Sequence, residues 1–306
     1  MPGAKSVTSN QETIYKDLEE VVRKYARTTF LRPIADHTRE AFAKAEEFVR
    51  TFYENATCSV KADTATECGV THENAQKTDP GIKTGVTLKQ KGNAPRAVIL
   101  DSGCGTGEST IHIARRFPNI PVIGIDKSCD RLNKAGNPVQ TAGDAIPPNA
   151  FWIRAELLDF WRLALDHVKA DKWTIPYHAV YYPNPWPKQS EATRRFHMHP
   201  IFPTLLALSG VTELRTNWEI YAREFAEATK IVFDECARIA AKELYGSPPS
   251  LRSVEDDERG NRSVEGDHSN PRIICEYFDP TAPETAFERK YKEAGQTLWR
   301  VIVGRT

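Results

Sequence analysis

No Cys-x-x-Cys pair occurs among the six cysteines of this 306-residue chain, which stand at positions 58, 68, 104, 129, 236 and 275. That spacing suits neither a disulfide framework nor a zinc site, and reads as the reduced thiols of an intracellular protein. There is no apolar run of the length that spans a bilayer, about 18 residues or more, and no apolar signal core at the amino terminus. The reading is therefore a soluble protein, cytoplasmic or nuclear, with an organelle address left open. Charge of one sign is also missing: 41 Lys plus Arg balance 41 Asp plus Glu. That argues against nucleic-acid binding through bulk charge and leaves a local basic face open. No Ser/His/Asp or Cys/His arrangement stands out as a covalent catalyst. His197 and His199 lack a third ligand at metal spacing, so no metal is expected.

What the chain does have is concentrated in Val98-Ile-Leu-Asp-Ser-Gly-Cys-Gly-Thr-Gly-Glu-Ser109. An apolar run ends at an acidic residue, three alternating glycines follow, and a helical pattern begins. Gly103, Gly105 and Gly107 allow positive φ and a close backbone approach to a ligand, which the following helix N-terminus would face. A second acidic residue, Asp126, closes the next apolar strand, Val122-Ile-Gly-Ile-Asp126, where a carboxylate can take ribose hydroxyls. NAD enzymes place an acid there too, so glycine spacing decides. The pattern here is G-x-G-x-G, where the dinucleotide fingerprint is G-x-G-x-x-G. Asp101-Ser-Gly-Cys-Gly-Thr-Gly107 resembles motif I of S-adenosylmethionine (SAM) methyltransferases, and Gly124-Ile-Asp-Lys-Ser128 resembles their second-strand motif. The resemblance implies SAM as cofactor, held by Gly103, Gly105, Gly107 and Asp126. Asp101 would orient the loop or the methionine end, or act only as a strand-end cap. Glu156 would reach the adenine or ribose rim, or simply favour a helix dipole.

Residues 1–54 read as a helical extension, with Ala41, Phe42, Ala45, Phe48, Val49 and Phe52 on one face and Asp36 as a candidate cap. Residues 55–94 are polar and aperiodic, a flexible insert. From 95 to 306 strands and helices alternate, interrupted by a polar loop at 246–271. This predicts an α/β fold: a Rossmann-like, doubly wound, seven-stranded and mostly parallel sheet ending in a hairpin-like pair.

The other unusual stretch is Tyr181-Tyr-Pro-Asn-Pro-Trp-Pro-Lys188. Its prolines cannot lie in a central strand and stiffen the loop that leaves one. Asn184 is thereby held at the ligand edge of the sheet, with an amide that both accepts and donates. Trp186 offers a flat face for a base, with packing as its competing role. Lys188, Arg194, Arg195, His197 and His199 form a cationic cluster suited to phosphates. Asn-Pro-Trp-Pro-Lys, then Arg-Arg, then Pro200-Ile-Phe-Pro203 resembles the tRNA (guanine-N7) methyltransferase family. Leu214-Arg-Thr-Asn-Trp-Glu-Ile-Tyr221 looks like its Thr-Asp…Tyr segment, and Thr285-Ala-Phe-Glu-Arg-Lys290 like its Thr-x-Phe-Glu motif.

The resemblance implies methyl transfer to guanine N7 in tRNA, with Asn184 facing the base. It adds Thr216, Asn217, Thr285 and Glu288 to Trp186, Lys188, Arg194 and Arg195 as substrate contacts. The chain departs from the family at two points, reading Asn-Pro-Trp at 184 where the family reads Asp-Pro-Trp, and Asn217 where it reads Asp. Another nitrogen in a different RNA or a small molecule, and a non-catalytic SAM- or RNA-binding subunit, stay open as alternatives. So do a monomer, a homodimer and work beside a non-catalytic protein partner.

Overall fold

A parallel sheet must be covered by helices on both faces, and that requirement sets the whole architecture. The structure, a computed structural model, describes residues 6–63, 94–134, 145–245 and 271–305. Helices α1 (Leu18–Ala26) and α2 (Asp36–Asp63) come first. Two short strands, β1 (Arg96–Ala97) and β5 (Trp173–Thr174), pair in parallel as a separate ribbon.

The main sheet is built from β2 (Ile99–Ser102), β3 (Val122–Asp126), β4 (Ala150–Arg154), β6 (Tyr177–Tyr181), β7 (Val211–Thr216), β8 (Arg272–Phe278) and β9 (Leu298–Gly304). Its spatial order is β4-β3-β2-β6-β7-β9-β8. The first five are mutually parallel, and β9 runs antiparallel to both β7 and β8. The doubly wound, mostly parallel fold with a terminal antiparallel pair is thus observed, with boundaries at 150–154 and 211–216 as read from sequence. The intervening helices are α3 (Glu108–Arg116), α4 (Cys129–Leu132), α5 (Leu157–Lys169), α6 (Phe202–Leu208), α7 (Glu219–Tyr245) and α8 (Ala286–Glu293).

Alternation along the strands sorts side chains into two cores. Leu100, Ile123, Ile125, Val180 and Leu214 join α2, α5, α6 and α7 on one face. Ile99, Val122, Tyr177, Ala179 and Tyr181 join Ile113 and Ala114 of α3 on the other. Two boundaries differ from the sequence reading. The helical extension read over 1–54 is broken, because residues 27–35 carry no helix, and α2 then continues to Asp63 rather than ending at 54. The apolar stripe persists across both pieces, since Leu18 and Val22 of α1 and Phe42, Ala45 and Val49 of α2 are all buried. The rest of the polar insert (64–93) and the polar loop (246–270) lie outside the described residues.

Candidate active site

The chain winds outward from β2 to β3 and β4, then returns to β6 on the opposite side of β2. At such a reversal the connecting helices leave on opposite faces and open a crevice at the carboxyl ends of the strands. Because β2, β3, β6 and β7 are parallel, their carboxyl-end loops all meet on that edge. The edge therefore gathers the glycine loop, Asp126, the Asn-Pro-Trp loop and Thr216-Asn217.

In the glycine loop φ is 81° at Gly103, 58° at Gly105 and 80° at Gly107, the left-handed region that favours glycine. The turn is anchored by the N–H groups of Gly103 and Cys104, which donate to Ile125 O at 2.8 and 3.1 Å. A Cβ at Gly103 or Gly105 would meet no heavy atom within 4 Å, so the bare backbone faces open space. Asp126 is buried and accepts from Gly105 N–H at 3.1 Å and Ser128 N–H at 2.7 Å. It therefore fixes the height of the loop and keeps lone pairs for hydroxyl donors. Asp101 accepts from the Ser109 and Thr110 hydroxyls, both at 2.6 Å, which clasps the end of β2 to the first turn of α3. Burial pushes its carboxyl up to about 6, against the pull of those hydroxyls. Asp101 thus joins the end of β2 to α3. Glu156 occupies the N-cap position of α5, one strand beyond Asp126, and its side chain makes no capping bond.

The second loop is strained where no glycine relieves it. Tyr182 has φ 50° and Trp186 φ 45°, bracketing Pro183-Asn184-Pro185. Non-glycine residues there cost on the order of 1–3 kcal/mol each and persist only when their surroundings hold them. Asn184 is exposed, and its Oδ1 accepts from Trp186 N–H at 3.3 Å, a local turn that aims the amide outward. Arg194 is exposed and lies 4.5 Å from the centre of the half-buried Trp186 ring. Lys188 is exposed as well.

Three substrate assignments are corrected by burial. Arg195 is 0% exposed, so it cannot meet a phosphate. Its guanidinium instead donates into the Pro185 and Trp186 carbonyls. Glu288 is also 0% exposed and accepts from Tyr182 Oη at 2.9 Å and Arg215 Nη1 at 3.1 Å. Thr285 accepts from Glu288 N–H at 2.9 Å as the N-cap of α8. Thr216 is buried at the carboxyl end of β7, its hydroxyl taking Trp218 N–H at 3.2 Å. Asn217 donates to Gln296 Oε1 at 3.0 Å. Of the substrate set, Asn184, Trp186, Lys188 and Arg194 present surface at the crevice loop. Arg195, Thr216 and Glu288 act behind it.

A buried charge network supports this loop and escaped the sequence reading. Arg215 Nε donates to Glu213 at 2.7 Å, and the Tyr177 hydroxyl donates to the same carboxylate. Burial drives the Glu213 carboxyl up, but Arg215 and the tyrosine hydroxyl outweigh it and hold the acid below its ordinary range. The visible signal was an acid and a base, Glu213 and Arg215, two residues apart and so on one face of the strand Val211–Thr216. Among the described residues no group of His, Cys, Asp and Glu could hold a metal, and no helix is long and apolar enough to cross a membrane.

Residues 95–301 match the model of the Methyltransf_4 family, described as "Putative methyltransferase". A tRNA (guanine-N(7)-)-methyltransferase of Neisseria meningitidis is 25% identical over 213 residues, 69% of this chain and 72% of that protein. One from Psychromonas ingrahamii is 29% identical over 173 residues, 55% of this chain and 67% of that protein. A crystal structure of the 16S rRNA methyltransferase KamB aligns at TM-score 0.39 and 15% identity, covering 69% of this chain and 89% of that one.

Proposed function

The chain belongs to this family of SAM-dependent methyltransferases, and we propose that it methylates N7 of a guanine in tRNA. The observation that carries this reading is the adjacency of the glycine loop and the Asn-Pro-Trp loop, which leave neighbouring parallel strands at the switch point of the sheet.

The open space beside Gly103 and Gly105 and the acidic end of β3 fit SAM: bare backbone for close approach, and Asp126 lone pairs for ribose hydroxyls. When bound, SAM supplies an electrophilic methyl group on a sulfonium. Guanine N7 already carries a free lone pair, so no residue need remove a proton before attack. The protein's task is then placement, and proximity with orientation can supply about 7–11 kcal/mol of a barrier. Asn184 Oδ1 accepts from the N1–H or N2–H edge of guanine, which turns N7 toward the glycine loop. An amide gives a weaker bond there than a carboxylate. Lys188 and Arg194 meet backbone phosphates, and Trp186, stiffened by Arg194, walls the base pocket.

The test is transfer of labelled methyl from SAM to tRNA, followed by nucleoside mass spectrometry. Labelled 7-methylguanosine is the expected product. A different methylated nucleoside would favour transfer to another nitrogen. SAM binding without turnover would mark a non-catalytic subunit.

A further inference from the structure

The Asn-Pro-Trp loop holds itself by one internal bond among its side chains and backbone, Trp186 N–H to Asn184 Oδ1. Pro183, Pro185 and Pro187 have no N–H, so the loop offers carbonyls and almost no donors of its own. Its carbonyls, and the positive φ at Trp186, therefore lean on donors outside it. Those donors are the buried Arg195 and the half-buried Ser9. Arg195 Nε reaches the carbonyls of Pro185 and Trp186, both at 3.2 Å, and Nη2 reaches Trp186 O at 2.9 Å. Ser9 Oγ donates to the next carbonyl, Pro187 O, at 2.7 Å.

The guanidinium is itself fixed from two directions. Nη1 donates to Glu224 Oε2 of α7 at 2.6 Å, and Nη2 donates to Gln11 Oε1 at 2.9 Å. Glu224, 0% exposed, also accepts from Gln11 Nε2 at 2.6 Å, Tyr15 N–H at 2.8 Å and the His197 ring at 2.9 Å. Burial raises this carboxyl, yet His197 and Arg195 prevail and hold it down at about 2. The Trp218 ring packs against the guanidinium at 4.8 Å.

We propose that Gln11, Arg195 and Glu224 are positioning residues for methyl transfer: a latch, completed by the amino-terminal segment, that sets the backbone of Pro185-Trp186 and through it the direction of Asn184. None of the three touches substrate. The segment around Ser9 and Gln11 is therefore part of the machinery of the loop, although about 170 residues or more separate them in sequence. The kinetic arm rests on the tRNA methylation proposed above; the exchange arm does not.

The experiment uses full-length Gln11→Ala and Glu224→Gln, with Gln11→Ala as the milder change that spares the sheet. Hydrogen exchange is read by mass spectrometry beside SAM affinity, kcat and KM for tRNA, well below each variant's own Tm. The expected result is faster exchange confined to 182–198 and to the amino-terminal segment at 9–15 that shares Glu224, SAM Kd within about twofold of the parent, and kcat lowered about tenfold or more. Exchange that rises throughout the chain, or a loosened loop with unchanged kcat, would overturn the latch as a positioning device. If the parent methylates no tRNA, the functional reading is lost while localised exchange at 182–198 still decides whether the latch sets the loop.

Discussion

The Tyr182 hydroxyl donates to the Glu288 carboxylate at 2.9 Å, tying the first residue after β6 to the first turn of α8, 106 residues later. The bond spans the strained start of the Asn-Pro-Trp loop and the carboxy-terminal motif. It explains why a Thr-x-Phe-Glu segment accompanies a loop it never joins in sequence. Glu288 also faces Arg215, which is buried between Glu213 and Glu288. Removing one carboxylate from such a site leaves charge without its full complement, at a cost of about 3–5 kcal/mol. Glu288→Ala is thus expected to lower Tm by about 10 °C, whereas Tyr182→Phe, losing a single bond to a charged acceptor, costs about 1.5–3 kcal/mol. Thermal melts of the two variants check the order; equal losses would show that Arg215 does not depend on Glu288.

Gly105 and Gly124 separate ligand effects from folding effects. An alanine at Gly105 meets nothing but must hold φ near 58°, at about 1–2 kcal/mol, with its methyl in the open room beside the glycine loop, where SAM is proposed to sit. SAM affinity should fall about tenfold with a small change in Tm. A Cβ at Gly124 would overlap the Thr110 and Trp152 side chains, so Gly124→Ala should damage the fold first. Calorimetric titration with SAM beside melting curves distinguishes them.

Adjacent arginines should behave in opposite ways. Arg194→Ala removes an exposed cation and should weaken tRNA binding while reducing its log–log salt slope by about 1. Arg195→Ala removes a fully buried partner of Glu224 and should appear as lost stability of about 3–5 kcal/mol. Binding at several salt concentrations and a denaturant titration read the two effects. A salt slope unaltered by Arg194→Ala would remove that residue from the RNA contact.

His178 makes the fold sensitive to mild acid. Its ring sits 2.8 Å from Ser102 Oγ, which also accepts from Trp161 Nε1 at 2.9 Å, and burial lowers the histidine to about 3 from 6.5. Below pH 6.5 the unfolded chain takes up a proton that the folded chain refuses. Stability from this group is therefore complete above pH 6.5 and lost as pH falls toward 3. The slope approaches about 1.4 kcal/mol per pH unit, or about 2 kcal/mol by pH 5. His178→Gln should flatten this stretch of the stability profile, as followed by urea unfolding at stepped pH.

Asn184 tests the departure from the family loop. Asn184→Asp supplies a full carboxylate for the N1–H and N2–H edge, so methyl transfer to tRNA should hold steady or rise, by up to about tenfold. Complete loss of transfer in this variant would overturn the placement of residue 184 against guanine.

Local chemistry was readable without coordinates. The apolar runs ending at Asp101 and Asp126, the alternating glycines and the strand-then-helix rhythm decided the sheet, its parallel majority and the position of the glycine loop. Each of these is a matter of periodicity or turn geometry within a few residues. The same holds for the Asn-Pro-Trp loop, since prolines exclude a central strand wherever they stand.

Only the tertiary structure decided which charges face water. Arg194 and Arg195 are indistinguishable in sequence, yet one covers Trp186 at the surface and the other lies buried between Gln11 and Glu224. Glu288 looked like a substrate contact and proved to be the inner partner of Arg215 and Tyr182. The physical reason is that burial and ion pairing depend on what distant segments bring to a side chain. Turn and strand propensities depend on its near neighbours. The chain's own pattern therefore specified the crevice, and long-range packing chose which of its charged residues can reach a substrate.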